Sequence, residues 1–318
     1  MHLSIFALIY PLLVGAALAQ DVYPSKPVRL VAPNPAGGPN DVVARLYAQK
    51  LGERAKTTFI VENRVGATGT VGTDYVVKAL PDGYTVLFTV DLPITMAPSL
   101  FKVPYDVTRD LQPVAGFLES MNLLAVHPAV AANSLAELIV LGKAKPGTLT
   151  FASAGNASPG HVCGELIKSA TGVDMTHVPY KGASPASTAV LSGEVSMFCG
   201  PVPMLAPQVK SGKLRALGVT GLRASPLAPE LAPLSVSLPG LVVTNWYAVF
   251  VPAKTPAVVV DYLRAELRAV TDDPEIRKRL GAMGLDVRWM EAPELAQTIR
   301  TDLARWTKVV REANIKSD

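Results

Sequence analysis

The sequence predicts an α/β protein of two lobes, each a mostly parallel sheet flanked by helices, with a C-terminal helical segment packing back on the first lobe. Three observations predict it. Short apolar runs of strand length alternate with stretches of helical spacing between residues 27 and 90, and the same grammar resumes near residue 122. A Pro-rich, weakly patterned stretch at 221–244 then breaks the alternation, and the rest of the chain is mainly helical. The length of 318 residues suits about two domains.

Residues 27–32 read as a strand that enters the small-residue loop Asn34-Pro35-Ala36-Gly37-Gly38-Pro39, and Val42, Val43, Leu46 and Leu51 mark the helix behind it. Residues 57–61 form the next strand, Gly66-Ala67-Thr68-Gly69 opens a second helix, and Pro81-Asp82-Gly83 turns into a strand at 84–90. In the second alternation, 123–126 is a strand and Ser134-Leu135-Ala136-Glu137 is a capping box whose helix stops before Pro146-Gly147. A strand at 148–152 runs into Gly155-Asn156 and a helix that reaches about residue 170. Further strands are expected at 174–178, 195–199, 214–220 and 246–251, and the closing helices at 256–271, 274–283 and 293–313. The expected division assigns 20–121 plus 243–318 to lobe 1 and 122–242 to lobe 2, with hinges near 121–122 and 242–244.

Composition narrows the function. Apolar residues at 49% and charged residues at 18% describe a chain that can build a core. The net charge of +4 is scattered rather than gathered into an arm, so no nucleic-acid partner is expected. Residues 1–19 form an apolar stretch ending in the A-x-A site Ala17-Leu18-Ala19, followed by polar Gln20-Asp21. This reads as a signal peptide, although its start carries no Lys or Arg; an uncleaved anchor is the competing reading. The uncharged stretch 231–253 is broken by Pro233, Pro239, Gly240 and Pro252 and does not read as a membrane span. Cys163 and Cys199 could pair in an oxidising compartment or sit as two small buried hydrophobes, and the sequence leaves both open.

Most of the chemistry lies where strands meet helices. Gly37-Gly38, Gly66-Ala67-Thr68-Gly69, Ser153-Ala154-Gly155-Asn156 and Tyr180-Lys181-Gly182-Ala183 all stand at such junctions. There the first N–H groups of a helix lack internal partners and its dipole favours negative charge, while glycine lets an anion come close. A single junction of this kind is usually only a turn, but helix starts in a parallel lobe gather at one edge. Four together point to a cleft that binds a carboxylate through main-chain donors. Asp41 is a cap or a loop-orienting group; Asn34 and Asn156 are amide donors or loop-formers. His161 is a donor or a structural histidine, and Lys181 a contact or plain surface. No GxSxG, HExxH or GxxxxGK[ST] motif occurs, so neither enzyme, metal nor cofactor is expected.

The same junctions carry a resemblance. Tyr23-Pro24-Ser25-Lys26-Pro27-Val28-Arg29, Pro35-Ala36-Gly37-Gly38-Pro39-Asn40-Asp41-Val42-Val43-Ala44-Arg45, Val61-Glu62-Asn63-Arg64-Val65-Gly66-Ala67-Thr68-Gly69 and His177-Val178-Pro179-Tyr180-Lys181-Gly182 resemble blocks of the extracytoplasmic receptors of tripartite tricarboxylate transporters, the Bug-type solute-binding proteins. Pro81-Asp82-Gly83-Tyr84-Thr85, Ala152 to Asn156 with His161, and Gly212-Lys213-Leu214-Arg215-Ala216-Leu217 extend the likeness from residue 23 to about 315. It implies a periplasmic-binding-protein-like, type II-like fold in the periplasm, closing over di- or tricarboxylates, acidic amino acids or small aromatic acids. It implies a monomer that serves integral-membrane permease subunits; a receptor feeding a sensor kinase and a hydrolase on the same scaffold are the competing classes. By the resemblance, Ala36, Gly37, Gly38 and Gly66, Ala67, Thr68, Gly69 hold one ligand carboxylate, and Ser153, Ala154, Gly155, Asn156, His161, Tyr180, Lys181 and Gly182 read the other end. The chain departs from the pattern at Asn34, where an aromatic is common, at Cys163, where a small residue is usual, and at Cys199, where an acidic or polar residue often stands. The loss of an acid at Cys199 leans away from an amino-acid ligand, whose ammonium would want a carboxylate partner.

Overall fold

In Val28-Arg29-Leu30-Val31-Ala32 only Arg29 is exposed, and this run forms β1 (Val28–Ala32) of a computed structural model that describes residues 23–156 and 158–312. The expected signal peptide at 1–19 lies outside the described residues. After β1 come α1 (Pro39–Ala55), β2 (Phe59–Asn63), α2 (Thr70–Val77), β3 (Thr85–Val90), the short α3 (Ala97–Leu100) and α4 (Val107–Asp110), and β4 (Leu111–Val126). The second alternation gives α5 (Leu135–Ala144), β5 (Leu149–Ser153), α6 (Pro159–Thr171), β6 (Met175–Pro179), α7 (Ala183–Ser192), β7 (Met197–Pro201), α8 (Val202–Lys210) and β8 (Arg215–Val219). The chain returns through β9 (Thr244–Pro252), α9 (Ala257–Asp272), α10 (Pro274–Ala282), β10 (Asp286–Met290) and α11 (Ala292–Glu312).

The strand order β2-β1-β3-β9-β4-β7-β5-β6, with β8 and β10 also on β4, makes β4 the spine of both lobes. Its first half pairs with β9 and β10, its second half with β7 and β8. The outer trios β2-β1-β3 and β6-β5-β7 are parallel, as alternation predicts. The centre is antiparallel, because a strand that crosses between lobes must be met by the segment that returns. The sequence reading finds only the last four residues of β4 and misses β10. Pro113 and Gly116 interrupt the pattern, bulges occur at both places, and nearly every side chain of β4 is buried, so no period-2 signal survives.

Register fixes how the lobes face. β3 and β4 both run against β9, and Val90 at the end of β3 stands level with Leu118 through Tyr247. β7 runs against β4 and its last residue, Pro201, pairs with Asn122. The carboxyl ends of both parallel trios therefore point at each other across the middle of β4. Four residues, about 13 Å of strand, separate the two levels.

The C-terminal helix packs back on lobe 1 through Leu295 and Ile299, which join Val31, Leu87 and Trp246. Further along, Trp306 joins the second-lobe core of Leu124, Phe151 and Ile167, so α11 ties both lobes together. A second tie sits on β4. The carboxylate of Glu119, nearly inaccessible to solvent, accepts from Arg288 of β10 at 3.0 Å and pairs at 3.1 Å with Arg223, which comes after β8. Arg223 also donates to the Val287 carbonyl at 3.0 Å. Burial, and then the charge of Glu119, push the Asp286 carboxyl up to about 6, opposed by Arg223.

Candidate functional site

At the first junction Asp41 organises the loop. Its Oδ2 accepts from the Gly37 N–H at 2.8 Å and from Arg45 Nε at 2.9 Å, and its Oδ1 accepts from Asn63 Nδ2 at 2.8 Å. Burial alone would raise this carboxyl; the bonds from Arg45, Gly37 and Asn63 outweigh it and hold the group below its ordinary value. Asn34 serves the loop: its Oδ1 accepts from Asn40 and its carbonyl from Asn63. Two amides expected to face a guest are engaged inside the loop, Gly37 with Asp41 and Gly38 with the Pro35 carbonyl. The start of α1 still offers donors one turn on. Pro39 has no N–H, those of Asn40 and Asp41 lack intrahelical acceptors, and no side chain caps the helix.

The second junction adjoins the first, since β1 and β2 pair with Ala32 opposite Asn63. Gly66, Ala67, Thr68 and Gly69 hold φ of 142°, 43°, 55° and 87° in succession. Left-handed backbone at Ala67 and Thr68 costs on the order of 1–3 kcal/mol each and persists only where its surroundings enforce it. Here Gly69 donates to the Gly66 carbonyl at 2.9 Å and lies so close to Pro93 that a Cβ would sit 2.5 Å from its ring. Asn63, which ends β2 and donates to the Asn34 carbonyl and Asp41 of the first loop, was not among the expected site residues; its signal is a polar residue ending a strand beside a glycine loop.

In the second lobe Ser153 ends β5 fully buried, and its Oγ lies 2.6 Å from His177 Nε2 and 3.1 Å from the Gly155 N–H. The Tyr180 N–H donates to the Ser153 carbonyl at 3.0 Å, which joins the third and fourth junctions. Gly155 and Gly182 take φ of 120° and 113°, conformations that favour glycine. Ala154 is half-buried, and Asn156 and Lys181 are exposed at this edge. His161, in the first turn of α6, stacks on His177 with centroids 4.1 Å apart and planes 8° apart. Burial pushes both imidazoles down, His177 to about 4, and each lies near the cation of Lys168.

Three expected side chains turn away from the gap. Ser153 is inaccessible and acts on its own loop. The Tyr180 hydroxyl donates to Glu194 at 2.7 Å, just beyond the far end of α7. Cys199 is buried in the core with Cys163 beside it; both thiols are free and burial drives that of Cys199 well up. A recess of about 1200 Å³ lies elsewhere, between α6, residues 238–241 and α11. It contains none of the expected residues, and its Lys168 and Arg305 are already paired with Glu165 and Asp302. Among the described residues no helix is long and apolar enough to cross a membrane.

Main-chain donors thus stand at two facing strand edges. The family model described as the tripartite tricarboxylate transporter family receptor matches residues 43–315. The protein BugT of Bordetella pertussis (strain Tohama I) is 32% identical over 95% of this chain and 94% of its own. Among solved structures, the periplasmic binding protein BugD is 31% identical with a TM-score of 0.68, covering 93% of this chain and 100% of that one. Rpa4515 of R. palustris with adipate is 29% identical with a TM-score of 0.72, covering 92% and 99%. MatC of Rhodopseudomonas palustris with bound malate is 29% identical with a TM-score of 0.66, covering 91% and 100%. The matched family is one of transporter receptors and BugD is a periplasmic binding protein, so the likeness is to solute receptors and not to enzymes. The chain belongs to the receptor family of the tripartite tricarboxylate transporters.

Proposed function

We propose that this receptor captures a small organic carboxylate between its lobes in the periplasm and delivers it, as a monomer, to the integral-membrane permease subunits of a tripartite tricarboxylate-type transporter. The observation that carries the reading is the register on β4, which turns two sets of glycine-rich strand ends toward one gap. Adipate and malate, the molecules named with two relatives, are both dicarboxylates and support the ligand class. Lobe 1 is taken as 20–121 plus 243–318 and lobe 2 as 122–242, hinged near 121–122 and 242–244. The ligand-facing set in this reading is the α1 and α2 starts with Ala36, Gly38, Gly66, Ala67 and Thr68, opposed by Ala154, Gly155, Asn156, His161, Lys181 and Gly182. Ligand favours closure by touching both lobes at once.

Thermal shift with adipate, malate, citrate, nicotinate and benzoate tests the class: at least one acid is expected to raise the melting temperature, and stabilisation by none contradicts it. Gly38→Val is expected to leave the fold intact, because φ −74° and ψ 164° suit any residue. Its Cβ, 3.1 Å from the Pro35 carbonyl oxygen, reshapes the loop and should lower affinity at least tenfold. Unchanged affinity removes this loop from the site.

A further inference from the structure

His177 is a conspicuous unassigned group at the second-lobe edge. It sits on β6 opposite Phe151 of β5, two residues before Ser153. Its ring lies between Phe151, 4.9 Å away at 22°, and His161, 4.1 Å away at 8°. Its Nε2 meets the Ser153 hydroxyl at 2.6 Å. That hydroxyl accepts from the Gly155 N–H and also lies 3.0 Å from the Gly155 carbonyl, which in turn accepts from the Ser158 N–H and hydroxyl. One imidazole thus touches both the loop before α6, through Ser153, and the first turn of α6, through His161.

We propose that His177 is a positioning residue of the receptor: by its bond to Ser153 it holds residues 154–156, Ser158 and the α6 start toward the opposite lobe. The proposal rests on the inter-lobe site proposed above. Its basis is hydroxyl chemistry. With Nε2 unprotonated, the serine proton goes to His177 and its lone pairs remain for the Gly155 N–H. With Nε2 protonated, the serine proton must turn to the Gly155 carbonyl, where Ser158 already donates. The groups facing the imidazole are Phe151 and Ser153 on β5, and His161 and Lys168 on α6, with Glu165 facing His161. A second positive charge stacked at 4.1 Å on His161 is disfavoured, so acid acts against this arrangement.

The test compares His177→Phe, which keeps a flat ring and loses the bond, with His177→Gln, which keeps a donor and acceptor and loses the ring. Hydrogen exchange on the full chain is expected to quicken at least tenfold at residues 155–161 in His177→Phe and to stay near wild type in His177→Gln. Ser153→Ala should match the phenylalanine variant. With adipate as probe, His177→Phe is expected to bind about tenfold more weakly at pH 7. The wild-type-to-variant ratio of affinities should shrink as pH falls from 6 to 4, a ratio in which the titration of adipate itself cancels. The opposite ranking, a protected phenylalanine variant and a loosened glutamine variant, means that His177 only fills space and overturns the proposal. If adipate fails to bind the wild type while the exchange ranking holds, the positioning role stands and the adipate arm counts only against that ligand.

Discussion

Glu119→Ala is expected to lower unfolding stability by about 3 kcal/mol, the lower end of the cost of stripping one partner from a buried ion cluster. The carboxylate is 3% exposed and holds two guanidiniums, whereas Arg223 is 53% and Arg288 24% exposed and can partly rehydrate. Urea unfolding measures the loss, and a change below about 1 kcal/mol would show that the cluster is incidental. A second readout has a definite sign. The Asp286 carboxyl is raised above its unfolded value, so its contribution to stability is present below about pH 4 and is lost as pH climbs through about 6. Burial is the main cause and the Glu119 charge the next, so removing Glu119 should make the decline between pH 4 and 7 shallower.

Asp41→Ala is expected to cost about 2–3 kcal/mol and to abolish acid binding together with it. The variant leaves the Gly37 N–H, Asn63 Nδ2 and Arg45 Nε without their shared acceptor, and all three bonds are half-buried. The carboxyl is held below its ordinary value, so its contribution is present above about pH 4 and disappears as pH falls through the lower folded value. Denaturant melts at pH 7 and pH 3 measure this: the gap between variant and wild type should be narrower at the second than at the first. Equal stability at pH 7 would mean that the loop does not need Asp41.

These two residues also mark where sequence reading stops. The first lobe was legible because short apolar runs at β1, β2 and β3 alternate with helical stretches and glycine stands between β1 and α1 and between β2 and α2. In the second lobe, Ser134 caps α5 through the Glu137 N–H as its spacing predicts. β4 was not legible over 111–122, because a strand buried on both faces and bulged twice has no alternation to detect. Within the proposed site, glycine marked the loops that lie at the two strand edges but not which amides are spare. That depends on Asp41, four residues beyond Gly37, and on Asn63, which only the β1–β2 pairing brings near. In the second lobe, a strand parity of two sets Ser153 and His177 on one face with Phe151, whereas the turn of Tyr180 toward Glu194 depends on where the far end of α7 falls.

Two cysteines placed at Val65 and Ser184, exposed positions on opposite edges and outside the ligand-facing set, can carry spin labels while buried Cys163 and Cys199 are spared. Adding the acid that most raises the melting temperature is predicted to shorten the distance between the labels, as one guest draws two sets of main-chain donors together. An unchanged distance with that acid bound would contradict capture between the lobes.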